Sequence, residues 1–220
     1  MMKTLMKTRP SLLILSLLAA TLGLGACAPI VVGGAMVGSA LVATDRRTAG
    51  TQVEDETIEL KAGANIKQQL GDKVHVSVNS YNRVVLLTGE ATTAEARDQA
   101  GQIAGNVENA ANVINELDVA PASSLTSRSN DVLIASKIKA TLFNAQDLIS
   151  SAFYVVVERG NVYLMGRVTE REANRATDLI RTISGVQKVV RCFDVISEDE
   201  LARIVPPKKP DPAATQPSPQ

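Results

Sequence analysis

The chain contains the same short passage twice. Residues 83–100 read RVVLLTGEATTAEARDQA and residues 161–176 read NVYLMGRVTEREANRA, each an apolar run, a glycine and the start of a polar, alanine-dotted helix. Such a duplication makes each copy one supersecondary unit and restricts the fold to two similar halves. Ahead of the copies, Ala62, Ile66 and Leu70 in one half and Ile134, Ile138 and Leu142 in the other recur every fourth residue, which places them on one helical face. The first helix of the first half is expected over residues 58–70. A strand follows each helix: VHVSV at 74–78 alternates strictly, and FYVVV at 153–157 is continuous and β-branched. The turn-like stretches NSYN and ERGN lead into second strands that end at Gly89 and Gly166, so each half contains a hairpin. A second helix buries Ala96, Ala100, Ile103 and Val107 in one half and Ala173, Ala176, Ile180 and Ile183 in the other. A third strand is expected at 113–119 and 189–195. The fold class is α+β, each half reading helix-strand-strand-helix-strand, with a three-stranded mixed sheet covered by two helices. Units of about 65 residues are small for a lone core, so the halves are expected to pack on each other.

The N-terminus has a different character. Lys3, Lys7 and Arg9 precede an apolar core over residues 11–22, the make-up of a secretion signal and too short for a membrane-spanning helix. It ends in Leu24-Gly25-Ala26-Cys27, which resembles the lipobox of bacterial lipoproteins. That resemblance implies removal of residues 1–26, diacylglycerol modification of the Cys27 thiol, and attachment through acyl chains that each bury CH₂ groups at about 0.8 kcal/mol apiece. Ala28 follows, not the Asp that marks inner-membrane retention, so the expected location is the periplasmic face of the outer membrane. Residues 27–54 comprise this cysteine, a Gly/Ala-rich apolar segment and a polar linker. The halves occupy 55–120 and 130–197 with a linker at 121–129, and the proline-rich tail at 198–220 is expected to be disordered.

Charge and cysteine content remove several function classes. The chain has 23 basic and 23 acidic side chains, and loss of the leader removes only basic ones. The mature protein is faintly acidic, which offers nucleic acid no general attraction. Only Cys192 remains once Cys27 is lipidated, so no intrachain disulfide forms. His75 is the only histidine, and its alternation with three valines turns it to the solvent face with Ser77. No nucleophile elbow, P-loop or Cys/His cluster is present, and the expectation is no enzyme, no cofactor and no metal. The acids of TTAEA and TEREA stand in the first turns of helices that Thr92 and Thr169 cap.

The halves resemble BON domains, with Gly89 and Gly166 after the second strand and Gly185-Val186 before the last one. The first half departs there, with Asn109-Ala110 in place of Gly-Val; Asn tolerates the positive φ such a turn requires. With the lipobox, the resemblance to dual-BON outer-membrane lipoproteins covers nearly the whole mature chain. It implies a non-enzymatic protein that binds anionic phospholipid, of the phosphatidylglycerol kind, through its second domain. It further implies support of outer-membrane integrity and enrichment at the division site.

The residues expected to meet lipid lie in that second domain. The core stripe of its first helix leaves Leu133, Lys137, Ala140 and Phe143 on neighbouring faces, with Lys139 nearby. Apolar side chains one turn from ammonium groups suit an acyl boundary beneath phosphates. The first domain offers Lys61 and Asn65 there, with no large apolar residue. About five extra residues separate helix from strand in the second domain, and Leu148 and Ile149 within them are further candidate contacts. Three alternatives stay open: burial of Leu133, Leu148 and Ile149 between the domains, a membrane-tethered adaptor that binds envelope proteins without reading lipid, and a structural spacer without specific ligands.

Overall fold

The computed structural model describes residues 45–204, all within one compact unit spanning Val42–Gln220. Cys27, the apolar segment 28–43 and the chain from Pro206 lie outside the described residues. The first domain comprises α1 (Ala49–Leu70), β1 (Val74–Tyr81), β2 (Val84–Ala91), α2 (Ala94–Gly105), β3 (Asn112–Asn115) and β4 (Asp118–Val119). The second comprises α3 (Leu125–Asn144), β5 (Tyr154–Glu158), β6 (Asn161–Thr169), α4 (Glu170–Ile180) and β7 (Lys188–Ile196), followed by α5 (Glu198–Ile204). In each sheet the hairpin is antiparallel and the last strand runs parallel to the middle one. The expected order and the mixed sheets are therefore present in both halves.

Several boundaries differ from expectation: α3 begins at Leu125, inside the linker expected over 121–129, and β1 continues through Tyr81, so the stretch NSYN is mostly strand. The polar stretch before residue 58 is no linker from residue 49 onward: Thr48 caps α1, its hydroxyl accepting the Thr51 N–H at 3.1 Å. The extra turns bring Asp55 against the first hairpin. Thr93, not Thr92, caps α2 by accepting the Ala96 N–H at 3.2 Å, whereas Thr169 caps α4 in a full capping box with Glu172. The third strand of the first domain is broken, because Asn115 donates to the Arg97 carbonyl at 2.7 Å and accepts the Leu117 N–H at 3.3 Å. This leaves β3 and β4 as separate pieces on β2. Finally, 198–204 is helical, held by the Ser197 hydroxyl on the Glu200 N–H and by the ion pair of Arg167 with Glu200.

The glycine shared by the two copies has a steric reason. A Cβ at Gly89 would lie 2.1 Å from the His75 carbonyl oxygen, and one at Gly166 2.3 Å from that of Ala152; both residues have positive φ. The hairpins close with two-residue turns in which both residues are left-handed, Asn82-Arg83 and Arg159-Gly160, the arrangement whose twist matches the flanking strands. A buried aspartate of the first helix supports each turn. Asp55 accepts the Asn82 and Arg83 N–H groups and the Ser80 hydroxyl at 2.7–2.8 Å; Asp131 accepts the Arg159 and Gly160 N–H groups at 2.9 and 2.8 Å. Asn109 takes the positive φ that Gly185 takes in the second half, as its residue type suggests.

The middle strands decide how the halves associate. Val85 and Leu87 of β2 join the core beneath α1 and α2, and Val162 and Leu164 of β6 that beneath α3 and α4. Side chains alternate along a strand, so Leu86, Tyr163 and Met165 point to the other side. There they form a third cluster with Tyr81 and Cys192, which joins the two sheets. The pairing of small units expected from their size is thus a sheet-to-sheet contact. A strap ahead of α1 ties it further: Arg46 donates to both carboxylate oxygens of Glu172 and to the Arg167 carbonyl at 2.8 Å, and Arg47 pairs with Asp55 over the Tyr81 ring.

Candidate functional site

At about 100° per residue, Ile134, Ile138 and Leu142 occupy one side of α3, and all three are buried. The opposite side carries Leu125, Val132, Leu133, Ala140 and Phe143, with Ser129 and Ser136 among them, their hydroxyls donating back to the Leu125 and Val132 carbonyls at 2.9 Å. Leu133 is 60% exposed, Val132 67% and Phe143 79%. Helix α3 is therefore apolar on two opposed faces, one spent on the core and one without cover among the described residues. Lys137 flanks this ridge on one side and Lys139 on the other; both are exposed, and neither has an acid partner among the described residues. The only acid of α3 is Asp131, which is buried and occupied by the hairpin turn. The solvent face of α3 consequently carries large apolar side chains between two back-bonded serines, with no exposed acid, and is cationic at its margins.

The structure brings Leu133, Lys137, Lys139, Ala140 and Phe143 together on that face. Ile149, partly exposed, lies in the connection beyond its C-terminal end. Leu148 is a correction: it is only 8% exposed and packs into the core of the second domain, where it pins the extra residues down. It is not a lipid contact. Nor does Leu133 bury between the domains. The ridge also holds Leu125 and Val132, which periodicity missed because attention to the core stripe hides a second stripe on the far side; the absence of an exposed acid along the helix was the available signal.

The matching face of the first domain differs in charge. Helix α1 carries Glu54, Glu56 and Glu59, and its Lys61 pairs with Glu108 at 3.3 Å. It does expose Val53 and Leu60, against the expectation of no large apolar residue there, but these stand among acids. His75 is half-exposed on β1 as its alternation suggests, with Nδ1 3.3 Å from the buried Glu90. Glu90 also accepts the Ser123 N–H at 2.9 Å and lies 3.6 Å from Arg159, a structural link between linker and domains. Burial, with Glu116 nearby, pushes the Cys192 thiol up to about 11, which suits a packed side chain and not a nucleophile. No group of acids, His and Cys with the spacing of a metal site occurs among the described residues, and none of their helices is long and apolar enough to cross a membrane.

The BON domain model matches residues 54–121 and again 130–196. The chain belongs to the BON-domain family. Its BON units coincide with the two sheets described above, and the candidate face is the first helix of the second. Among curated relatives, the outer membrane lipoprotein DolP of Haemophilus influenzae is 39% identical over 179 residues, 80% of this chain and 92% of its own. The 21 kDa hemolysin of Actinobacillus pleuropneumoniae is 30% identical, covering 69% of this chain and 79% of its own. The osmotically-inducible protein Y of Escherichia coli is 30% identical, covering 64% and 72%. Among solved structures, CdsD, a structural protein of the type III secretion system of Chlamydia trachomatis, aligns with a TM-score of 0.28 at 10% identity over 66% of this chain and 97% of its own.

Proposed function

We propose that this protein is an outer-membrane-anchored periplasmic lipoprotein whose second BON domain binds anionic phospholipid and so supports outer-membrane integrity. The lipobox-like end of the leader at Cys27 and the similarity to a relative named as an outer membrane lipoprotein support the anchoring. The observation that carries the lipid reading is the solvent face of α3, an exposed apolar ridge edged by two unpaired lysines on a helix with no exposed acid. Such a face lies in the plane of a membrane, side chains entering the acyl boundary and ammonium groups meeting phosphate. Each lysine near an anionic surface contributes about 1 kcal/mol, and a leucine or phenylalanine about 1.5–3 kcal/mol on full burial. Binding is a surface adsorption, with no bond made or broken. Division-site enrichment is part of the same proposal and would follow from lipid composition at that site.

The test is co-sedimentation of an anchor-free chain beginning at Ala28 with vesicles, with and without anionic lipid, at low and moderate salt. Binding should require the anionic lipid and weaken with salt. Leu133→Asp should lower it at least tenfold while shifting folding stability by less than about 0.5 kcal/mol, since the side chain is exposed. Binding that is indifferent to both the anionic lipid and Leu133 would defeat the reading and favour an adaptor for envelope proteins.

A further inference from the structure

A cavity of about 290 Å³ lies beside the C-terminal turns of α3, lined by Lys139, Leu142, Phe143, Ser150, Ser151, Phe153 and Val155. Its origin is the longer connection of the second domain. In the first domain a single 3-10 turn, Gly71–Lys73, joins α1 to β1. In the second, residues 145–153 separate α3 from β5 and include the 3-10 turn Ser150–Ala152. Leu148 buries into the core and fixes this connection, so the space is held open by packing. Leucine, valine and two phenylalanines make most of its wall.

Charge sets this cavity apart from the others that the second domain lines; one in the first domain, at Gln69 and Gln102, has no charged group at all. A larger one near α5 is lined by Asp147, Glu172 and Glu198, and one at the N-terminal half of α3 by Asp131. The cavity at Phe143 has no acid in its lining, and its one charged group among the described residues is Lys139, which has no acid partner among them. Phe143 belongs both to the ridge of α3 and to the cavity wall, so the opening is continuous with the face that meets lipid. The volume is at the lower end of small-molecule sites, about 300–1,000 Å³. It suits a length of one hydrocarbon chain and not a whole diacyl lipid.

We propose that this cavity is a discrete lipid subsite: it takes one acyl chain of a single anionic phospholipid, with the phosphate held at the rim by Lys139. The inference rests on the lipid-binding reading above and deepens it, from adsorption on a surface to capture of one molecule. The longer connection 145–153 then has a purpose that the first domain lacks, and Leu148 acts from within the core as a support of the subsite.

The experiment uses the compact unit 42–220, which contains all three core clusters, and lysophosphatidylglycerol held below its micelle concentration, with calorimetry as the readout. One saturable site per chain is expected. Ser150→Phe, which fills the cavity, should weaken this binding at least tenfold yet leave sedimentation with anionic vesicles unchanged. Leu133→Asp should do the reverse. Lys139→Glu, at an exposed position that does not threaten folding, should lower affinity for the anionic lysolipid but not for its zwitterionic counterpart. Glycerol phosphate alone should not compete; equal competition would overturn the acyl assignment. Absence of monomer binding alongside normal vesicle binding would overturn the subsite and leave the membrane reading standing. Loss of both in the unaltered protein would overturn the two together.

Discussion

Gly89 and Gly166 show how a single missing carbon fixes a fold. A carbonyl oxygen, that of His75 on β1 for Gly89 and that of Ala152 in the 3-10 turn before β5 for Gly166, occupies the space of a Cβ, and each glycine has a backbone conformation that side chains rarely adopt. Gly89→Ala or Gly166→Ala should destabilise the chain by about 2–4 kcal/mol, measured by urea unfolding. A smaller effect would mean that the strands shift apart without penalty. Cys192 makes the converse case, a reactive residue type silenced by its surroundings. In the unit 42–220 it is the sole thiol, and burial in the inter-sheet cluster with a pKa of about 11 should slow its labelling by a thiol reagent at least a hundredfold relative to the urea-unfolded chain. Rapid labelling under native conditions would contradict the sheet-to-sheet contact.

At the scale of elements, the first helix of each domain serves two masters. Its inward aspartate holds the hairpin turn, and its outward face sets what the domain meets. Asp55 accepts four hydrogen bonds, from Ser80, Asn82, Arg83 and Arg47; Asp131 accepts two, from Arg159 and Gly160. Hydrogen bonds to a charged group contribute about 1.5–3 kcal/mol each but not additively. Asp55→Ala should therefore destabilise by about 3–5 kcal/mol and Asp131→Ala by about 2–3 kcal/mol, with thermal or urea unfolding as the check. The reverse ranking would show that the turns do not depend on these carboxylates. Outward, the same helix position bears acids in α1 and none in α3, which is why the domains, alike in fold, differ in the surface they suit.

The two domains are held together by the inter-sheet cluster and by the strap at residues 45–48. Burial by itself would raise the Glu172 carboxyl, but the Arg46 guanidinium and the Thr169 N–H overcome that and hold it below the ordinary 4.5. A carboxyl depressed in the folded state contributes stability above its unfolded pKa, and that contribution is lost as pH falls through the folded value. Glu158 has the opposite sign: burial first, then Glu90 and Asp131, raise it, so its contribution is present at low pH and fades as pH rises past 4.5. Urea midpoints measured on acidification below about pH 4.5 should fall in the natural chain. In Arg46→Met/Glu172→Gln, which removes the buried pair without stranding a charge, that fall should be smaller. An identical acid limb in both proteins would show that the strap contributes nothing to the pH dependence.

The sequence by itself determined the two-fold repeat, the order of elements, the core stripes and the family, because local periodicity and an internal copy are written in residue order. It also placed Leu133, Lys137, Ala140 and Phe143 on faces neighbouring the core stripe, with Lys139 nearby, since a helix of known register turns its residues predictably. Only the tertiary structure decided that Leu148 belongs to the core, that residues 49–57 and 198–204 are helical, and that the domains meet through their sheets. Each of those depends on partners distant in sequence: the interior of the second domain for Leu148, the hairpin turn for Asp55 and Arg167 for Glu200. The second face of β6 shows the same limit. Tyr163 and Met165 read as part of a continuous apolar strand, and only the other domain, laid against them, explains why both sides of that strand are dry.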